Sequence, residues 1–149
     1  MTYTDIQKAL ERKMAQWPGT VPTWFDGAPM PPLVKQARED DPRSPWIRFV
    51  IITSKAFTAG IGQSPCRRVP GIITAEIYYP LRSTRIDPET GQKKGINPAF
   101  ECSQLADSLV DHLQYWQDGK LSTQATSNVY VQEQDDWYRR NVVTDFDAD

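Results

Sequence analysis

The sequence is poor in the residues that build metal, redox and nucleophilic sites. Its 149 residues include one histidine, His112, and two cysteines, Cys66 and Cys102. A disulfide scaffold needs more cysteines than this, and a structural zinc site needs a full tetrahedral set of Cys or His ligands. Neither cysteine belongs to a CxxC pair. We therefore expect two reduced thiols in a cytoplasmic protein, with no metal and no cofactor.

A charge excess and long apolar runs are lacking as well. The 17 basic and 19 acidic residues leave a net charge of −2, whereas a dedicated duplex-DNA-binding protein carries a basic surplus that neutralises phosphates. No apolar run approaches the ~20 residues that cross a bilayer. Residues 1–13 are typical of a charged amphipathic helix and lack the apolar centre of a signal peptide. We expect no specific nucleic-acid contact and no membrane partner.

The few reactive side chains are not arranged for catalysis. His112 is adjacent to Asp111 and one helical turn from Ser108. Neighbouring helical positions point about 100° apart, so Asp111 cannot orient His112 as a Ser-His-Asp triad requires. The carboxylate runs at 39–41 and 135–136 fall in loop or turn sequence, where solvated surface is the usual role; a divalent cation there is an unsupported alternative. We predict that the chain is not an enzyme.

The first third of the chain predicts one helix followed by a long loop. Thr4 and Asp5 suit a helix start. Residues 26–45 contain several prolines and both charge signs, and we predict a loop there; loops of that length are usually functional or mobile. The apolar stripe of the helix recurs at three- and four-residue steps: Ile6, Ala9, Leu10, Met14 and Trp17.

Two long strands and a hairpin are predicted next. Residues 46–57 carry apolar groups on both faces, which is typical of a central strand covered on both sides. Residues 67–79 form the second strand, with a bulge or bend at Pro70–Gly71. The turn signal at 87–91 suits a type I turn with a glycine bulge. We interpret residues 81–96 as a β-arm that projects from the body and either moves freely or packs on another chain.

A second helix and closing strands complete the predicted fold. Asn97–Pro98 is a good helix start, and Gly119 marks the predicted end. Extended segments follow, with a turn at Asp135–Asp136 and an acidic tail at 145–149. Strands clustered between two helices predict a single α+β domain over residues 1–149. It has a mostly antiparallel or mixed sheet, two helices packed on one face and a projecting β-hairpin arm.

Large aromatic side chains stand near turns and chain ends, where a small monomer has difficulty covering them. Each pair fits either of two roles. One is a satellite core under a loop; the other is a subunit interface, in which Trp, Tyr and Arg concentrate binding energy. Together with the polar arm, they favour self-assembly. The pairs are Trp24–Phe25, Tyr115–Trp116 and Trp137–Tyr138.

Three features give the chain a family likeness. Residues 23–32, TWFDGAPMPP, are an extended piece and a proline-rich loop after an N-terminal helix. Residues 70–80, PGIITAEIYYP, form a strand that ends at a proline. A helix over residues 100–116 precedes a closing hairpin whose last strand opens with Trp137, Tyr138 and Arg139. In this pattern, from residue 6 to 146, the chain resembles the tail-terminator proteins of long-tailed bacteriophages. The arm departs from that family, because it is longer than the short glycine-containing link expected there.

The resemblance implies a structural virion protein of the tail or neck, assembled in the host cytoplasm. Such proteins are hexameric rings that stop tail-tube polymerisation and provide the docking surface for the head-side connector. The implied partners are sister subunits, the tail tube protein and the connector or neck protein, with DNA passing through the ring without specific binding. We expect the arm and the proline loop to reach neighbouring subunits or the tube. The candidate interface residues are Trp24, Phe25, Arg82, Arg85, Lys93, Lys94, Trp137 and Arg139.

Two alternatives remain open at this point. One is another ring of the same machine, such as a head-completion, neck or tail protein, which sequence patterning does not separate from a terminator. The other is a small-molecule-binding or enzymatic α+β domain. That class predicts a monomer or dimer with a deep pocket and converging polar groups.

Overall fold

A computed structural model describes residues 1–40, 42–59, 66–81, 84–86, 93–95 and 97–149. Helices pack on a mixed, largely antiparallel sheet, which confirms the predicted α+β class. Within the described ranges the helices are α1 (Tyr3–Ala15), α2 (Pro32–Glu39) and α3 (Pro98–Leu113). The strands are β1 (Thr23–Phe25), β2 (Trp46–Thr53), β3 (Phe57–Ala59), β4 (Cys66–Pro80), β5 (Thr84–Ile86), β6 (Lys93–Gly95), β7 (Gln117–Asp118), β8 (Leu121–Gln134) and β9 (Trp137–Ala148).

One mixed sheet organises the molecule. Its strands lie in the order β1-β2-β4-β9-β8-β7, and β3 continues along the same side of β4 as β2. The β1–β2 pair is parallel, and the remaining neighbours are antiparallel. β5 and β6 form a separate two-stranded antiparallel sheet, as predicted for the arm. The predicted turn of the arm at 87–91 lies outside the described residues.

The main core lies between one face of the sheet and helices α1 and α3. Strand side chains alternate between faces, so Ile47 and Phe49 of β2 share this face with Ile73 and Ile77 of β4 and with Val142 of β9. All five are buried. The buried helix residues packed against them are Ile6, Ala9, Leu10, Met14, Cys102, Ala106, Leu109 and Leu113.

Helix α1 is capped by Thr2 rather than by the predicted Thr4. The Thr2 hydroxyl accepts a hydrogen bond from the Asp5 N–H at 3.1 Å, and the Asp5 carboxylate accepts one from the Thr2 N–H at 3.0 Å. This reciprocal pair is a capping box. Its hydrogen bonds lower the pKa of Asp5. The N-cap of the helix is therefore two residues earlier than the predicted Thr4.

The predicted loop at 26–45 is wrong in its middle, and the described chain has three helices rather than two. α2 begins at Pro32, where a missing N–H is harmless because first-turn N–H groups have no partner within a helix. Val34 and Ala37 are three residues apart on its buried side. They pack on Trp46, on the sheet face opposite α1 and α3. The prolines therefore mark a helix start.

Helix α3 begins where predicted but ends earlier. The Asn97 side chain caps it by accepting a hydrogen bond from the Phe100 N–H at 3.3 Å. Its last residue is Leu113, well before the predicted end. The Thr123 hydroxyl donates to the Leu113 carbonyl at 2.6 Å and accepts from the Trp116 N–H at 2.8 Å. A side chain of β8 thus satisfies the backbone where the helix stops.

Strand β4 has no bulge at Pro70–Gly71, contrary to prediction. Both residues pair in register with β9, opposite Asp147 and Phe146, and Gly71 also pairs with Thr53 of β2. A Cβ at Gly71 would collide with the Phe146 ring. Glycine is needed here because the buried ring lies against the backbone, and the strand pairing continues through this position in register.

The chain closes with one long hairpin, β8–β9. Asp135 and Asp136 form the turn, with φ values of 50° and 63°; a type I′ turn requires this left-handed region at both positions. The turn is confirmed, but the predicted acidic tail at 145–149 is wrong. β9 continues to Ala148, and both Phe146 and Ala148 are buried. The acidic residues alternate with them because a strand has a period of two.

Candidate assembly surface

The sheet face that points away from α1 and α3, here called the outer face, is covered only at one end. Helix α2 lies over that end, against Trp46 and Trp137. Toward the other end the side chains become exposed. The register across β2, β4, β9 and β8 defines the rows of this face: Trp46–Tyr78–Arg139–Val131, Arg48–Glu76–Asn141–Val129, Val50–Thr74–Val143–Ser127 and, without a β8 member, Ile52–Ile72–Asp145.

An aromatic cluster of Trp24, Trp46, Tyr78 and Trp137 fills the covered end. The rings of Trp46 and Tyr78 stack with centroids 4.0 Å apart and an interplanar angle of 1°. Trp137 meets both rings edge-on, at 6.2 and 6.4 Å. Trp24 is tilted against Trp46 at 6.3 Å. Such contacts add stability beyond the area they bury, so this end of the outer face is a second, smaller core.

Three arginines lie over the aromatic cluster. The guanidinium of Arg139 is 4.4 Å from the centroid of Tyr78, that of Arg43 is 4.8 Å from Trp137, and that of Arg38 is 5.1 Å from Trp46. Planar guanidinium groups are attracted to ring faces and cover them. The cluster is therefore closed within one chain.

Glu76 is the centre of a charge network beside the cluster. Its carboxylate lies 3.4 Å from Arg48 and 3.9 Å from Arg139, and it accepts a hydrogen bond from the Tyr78 hydroxyl at 3.4 Å. Arg48 also binds Asp26 at 2.6 Å, and this hydrogen bond raises the pKa of Arg48. Burial, followed by the charge of Glu76, raises the pKa of Tyr78. The described charges here neutralise one another, which is typical of a structural network.

The first predicted pair, Trp24 and Phe25, is divided between the two sheet faces. Trp24 belongs to the outer face, is half-buried and donates its indole N–H to the Ala28 carbonyl at 2.9 Å. Phe25 points to the main core, where its ring meets Phe49 edge-on at 5.7 Å. Only the exposed part of the Trp24 side chain is available for contact with a partner.

Trp137 and Arg139 are covered by their own chain, so the expectation that a monomer leaves them uncovered is wrong. Trp137 is 7% exposed, because α2 packs over it together with Trp46. The Arg139 side chain is 12% exposed and is held by Glu76 and Tyr78. Of the two roles open for this aromatic pair, a satellite core fits the observed burial.

The arm residues are placed by backbone register. Arg85 pairs with Lys94, and Lys93 pairs with Ile86. Arg82 lies outside the described residues.

An apolar strip at the uncovered end is the feature that sequence reasoning missed. Ile52 and Ile72 are direct cross-strand partners and are 57% and 40% exposed. Val129, two rows away, is 44% exposed. The sequence does show apolar residues on both faces of β2, and we expected both faces to be covered within the fold. The second face is covered at Trp46 but not at Ile52.

Comparisons with known proteins define the fold alone. No family model matches the chain. No curated protein matches it either. Two solved chains do. One of them, whose name carries no functional description, aligns over 100% of this chain and 96% of its own length, with a TM-score of 0.66 and 14% identity. The α+β arrangement is therefore shared with a solved structure of nearly the same extent.

A groove runs between α1 and the edge of β2. Its volume is about 270 Å³. The apolar residues Ile6, Phe49 and Ile51 line it together with Glu11 and Asp26. Tyr3, Gln7 and Thr53 complete the lining.

The reactive side chains named from the sequence have structural partners. His112 Nε2 lies 2.6 Å from the Lys13 carbonyl and links α3 to α1; burial lowers its pKa. The Ser108 hydroxyl accepts the Trp17 indole N–H at 3.1 Å. Cys102 is fully buried, and burial raises its pKa to about 12.

The described part of the chain contains no group of three or more His, Cys, Asp or Glu side chains placed to hold a metal ion. Among the described helices, none is long and apolar enough to span a bilayer.

Proposed function

We propose that this chain is a structural subunit that assembles with copies of itself into a ring on the end of a phage tail tube. The ring stops tube growth and offers a docking surface to the head-side connector. The family resemblance over residues 6–146 supports the tail role. The fold supports self-assembly, through a surface that one copy leaves uncovered.

The exposed apolar strip carries the self-assembly proposal. A sheet packed on one face commonly has a polar second face that meets water. Here the uncovered end of that face presents Ile52, Ile72 and Val129, with half-buried Val50 and Val143 between them. Contiguous exposed apolar surface on a small soluble domain marks an interaction site. Another protein surface that covers these side chains gains roughly 25 cal/mol for each Å² of apolar area removed from water.

Ring formation suits the task of ending a tube. Tube growth is head-to-tail addition, and a terminator needs one face that fits the last tube subunit and another that rejects the next. A ring also leaves an opening for DNA. The net charge of −2 favours passage over adhesion, because phosphates meet little net attraction.

The alternative of another neck or tail ring shares all of these features. Co-purification separates the two, since a terminator accompanies tails and a head-completion protein accompanies heads. The small-molecule alternative relies on the groove at α1, whose apolar lining and two acidic residues could accept a ligand. The groove is open along the unpaired edge of β2, which favours a polypeptide over a small molecule.

The test combines light scattering with negative-stain imaging of the purified protein, alone and with isolated tail tubes. We expect rings, free or on tube ends. A double variant, Ile52→Glu with Ile72→Lys, places the lysine between the glutamate on β2 and Asp145 on β9, so the strands stay paired while the strip becomes polar. Losing the burial of two isoleucines should weaken assembly by at least about tenfold.

Phe100→Lys is the matched control, because Phe100 is 60% exposed but lies on α3, on the other side of the sheet. It should assemble as the wild type does. A wild-type chain that stays monomeric both alone and with tubes would show that the proposal is wrong. If the strip variant assembles as strongly as the wild type, the strip is not part of the interface.

A further inference from the structure

The edge of β2 is open beside the α1 groove. β1 pairs with β2 only through Thr23–Phe25, opposite Ile47 to Phe49, and the ladder ends where the Asp26 N–H donates to the Phe49 carbonyl at 2.9 Å. The Ser54 N–H points the other way, to Pro70 of β4. Backbone groups alternate along a strand, so Ile51 and Thr53 direct theirs at the open edge. Among the described strands, none pairs with this stretch.

The open edge and the groove form one site. Phe49, Ile51 and Thr53 line the groove, and these are the residues whose backbone continues the edge. An added strand would place its backbone against Ile51 and Thr53 and its side chains against α1. Prolines and charged residues usually protect an edge strand from pairing with another chain. Val50 to Thr53 contains neither.

The β5–β6 hairpin has the properties of the missing strand. It forms a separate sheet of two strands, and a two-stranded hairpin alone in water is marginally stable at best. Its described strands carry Arg85, Lys93 and Lys94 and no acidic residue. The groove is lined by Glu11 and Asp26, and Asp26 is already paired with Arg48. A basic strand therefore complements the groove in charge mainly at Glu11.

The hairpin cannot reach the groove of its own chain. Ile51 is opposite Ile73 of β4, and the seven residues from there to Pro80 span roughly 23 Å along the strand. Arg85 is five residues beyond Pro80, a distance of at most about 18 Å at full extension. The groove also lies on the far side of β2 from β4. A β5–β6 strand that enters it must therefore come from another copy.

We propose that the β5–β6 hairpin of each subunit adds a strand to the open β2 edge of the next subunit, within the α1 groove. The contact rests on the proposed ring and specifies how neighbours are joined. It is heterologous, because the donating and accepting surfaces differ, and repeated heterologous contacts close into a ring when the rotation permits. Main-chain hydrogen bonds supply the affinity, and the groove supplies the selectivity.

Two variants separate donor from acceptor. Deleting residues 84–94 removes the donor strand and leaves the edge. Thr53→Pro blocks the acceptor, because proline removes the outward N–H and is tolerated on edge strands. Thr53→Ala is the matched control that keeps the N–H. We expect the deletion and Thr53→Pro to be folded monomers, and Thr53→Ala to assemble as the wild type does.

Mixing the two defective variants gives the sharpest outcome. The Thr53→Pro copy still has a donor hairpin, and the deletion copy still has an open edge. Together they should form a heterodimer in light scattering and stop there, since no further donor or acceptor remains. Glu11→Lys, which reverses charge at the groove without touching the strand, should weaken wild-type assembly at least tenfold. If Thr53→Pro does not fold, Glu11→Lys still tests the acceptor edge.

The failures are distinguishable. If the Thr53→Pro and Glu11→Lys variants form rings as the wild type does, strand addition is wrong and the proposed ring still stands. Rings that form normally in these variants but no longer cap tubes would assign the edge to a strand of the tube protein instead, and would also overturn this proposal. A wild type that never assembles would overturn the ring and the strand contact together.

Discussion

At the scale of single residues, burial decides which side chains are chemically active. Cys102 and His112 are both on α3, and both lie where α3 meets other parts of the fold. Burial raises the pKa of the Cys102 thiol and lowers the pKa of the His112 imidazole, because a charged form is poorly solvated in the interior. Both effects keep the side chain neutral near pH 7, as a structural role requires.

Cys102 should be inert to thiol reagents in the folded protein. With a pKa of about 12, about one thiol in 10,000 is ionised near pH 8, and the thiolate is the reactive form. In a Cys66→Ser variant, Cys102 is the only cysteine left. We expect no labelling by an aromatic disulfide reagent in native buffer and complete labelling in denaturant. Fast labelling under native conditions would mean that α3 detaches from the sheet.

At the scale of elements, the close approach of neighbouring strands determines which residue a strand position can hold. Gly71 of β4 is flanked by Thr53 and Phe146 on the adjacent strands. A Cβ there would collide with the Phe146 ring and lie 2.7 Å from the Ile52 carbonyl oxygen. Neither neighbour can withdraw easily, because Phe146 is 1% exposed and the Ile52 carbonyl belongs to a paired strand.

Gly71→Ala should therefore lower the free energy of unfolding by about 2 kcal/mol, as overpacking of a full core does. Urea unfolding followed by tryptophan fluorescence measures the change. In a Phe146→Leu background the same substitution should cost less, because the ring tip is gone, although the Ile52 carbonyl remains. An equal cost in both backgrounds would place the strain at the backbone and not at the ring.

At the scale of the whole molecule, protection falls from the middle of the sheet to its sides. β4 and β9 pair with neighbours on both sides over most of their length, whereas β8 beyond residue 123 pairs, among the described strands, only with β9. The main core lies over β4 and β9. Backbone groups there open only when most of the fold opens.

Amide hydrogen exchange of the monomeric protein should follow this gradient. Ile73, Ile77 and Val142 should exchange slowest, and the edge-facing amides of residues 127–134 should exchange orders of magnitude faster. Mass spectrometry or NMR of a non-assembling variant measures both. Uniform protection across the sheet would contradict the gradient and indicate that β8 is covered in the monomer.

Local patterns predicted the elements whose determinants are adjacent in sequence. The start of α3 follows from Asn97 and Pro98, and the β8–β9 turn follows from Asp135 and Asp136. α2 was missed because its helical propensity is weak beside three prolines, and it becomes favourable only when Val34 and Ala37 reach Trp46. The end of α3 was misplaced because Thr123, which satisfies it, is ten residues away.

The candidate site was predicted least well, since exposure depends on packing between distant segments. Trp137 and Arg139 look available from the sequence, yet α2, Tyr78 and Glu76 cover them. Ile52 looks like a core residue, yet it is 57% exposed. A period-two pattern shows which residues share a face but not what lies over that face.

The sequence by itself determined the α+β class, the main apolar stripe of α1 and the pairing of β5 with β6. These follow from local periodicity, capping and composition. Only the tertiary structure decided that α2 covers one end of the outer face, that Ile52 and Ile72 remain exposed at the other, and that the β2 edge is open beside Glu11. The reason is physical: burial and strand pairing are relations between segments far apart in the chain, and no local window of residues contains both partners.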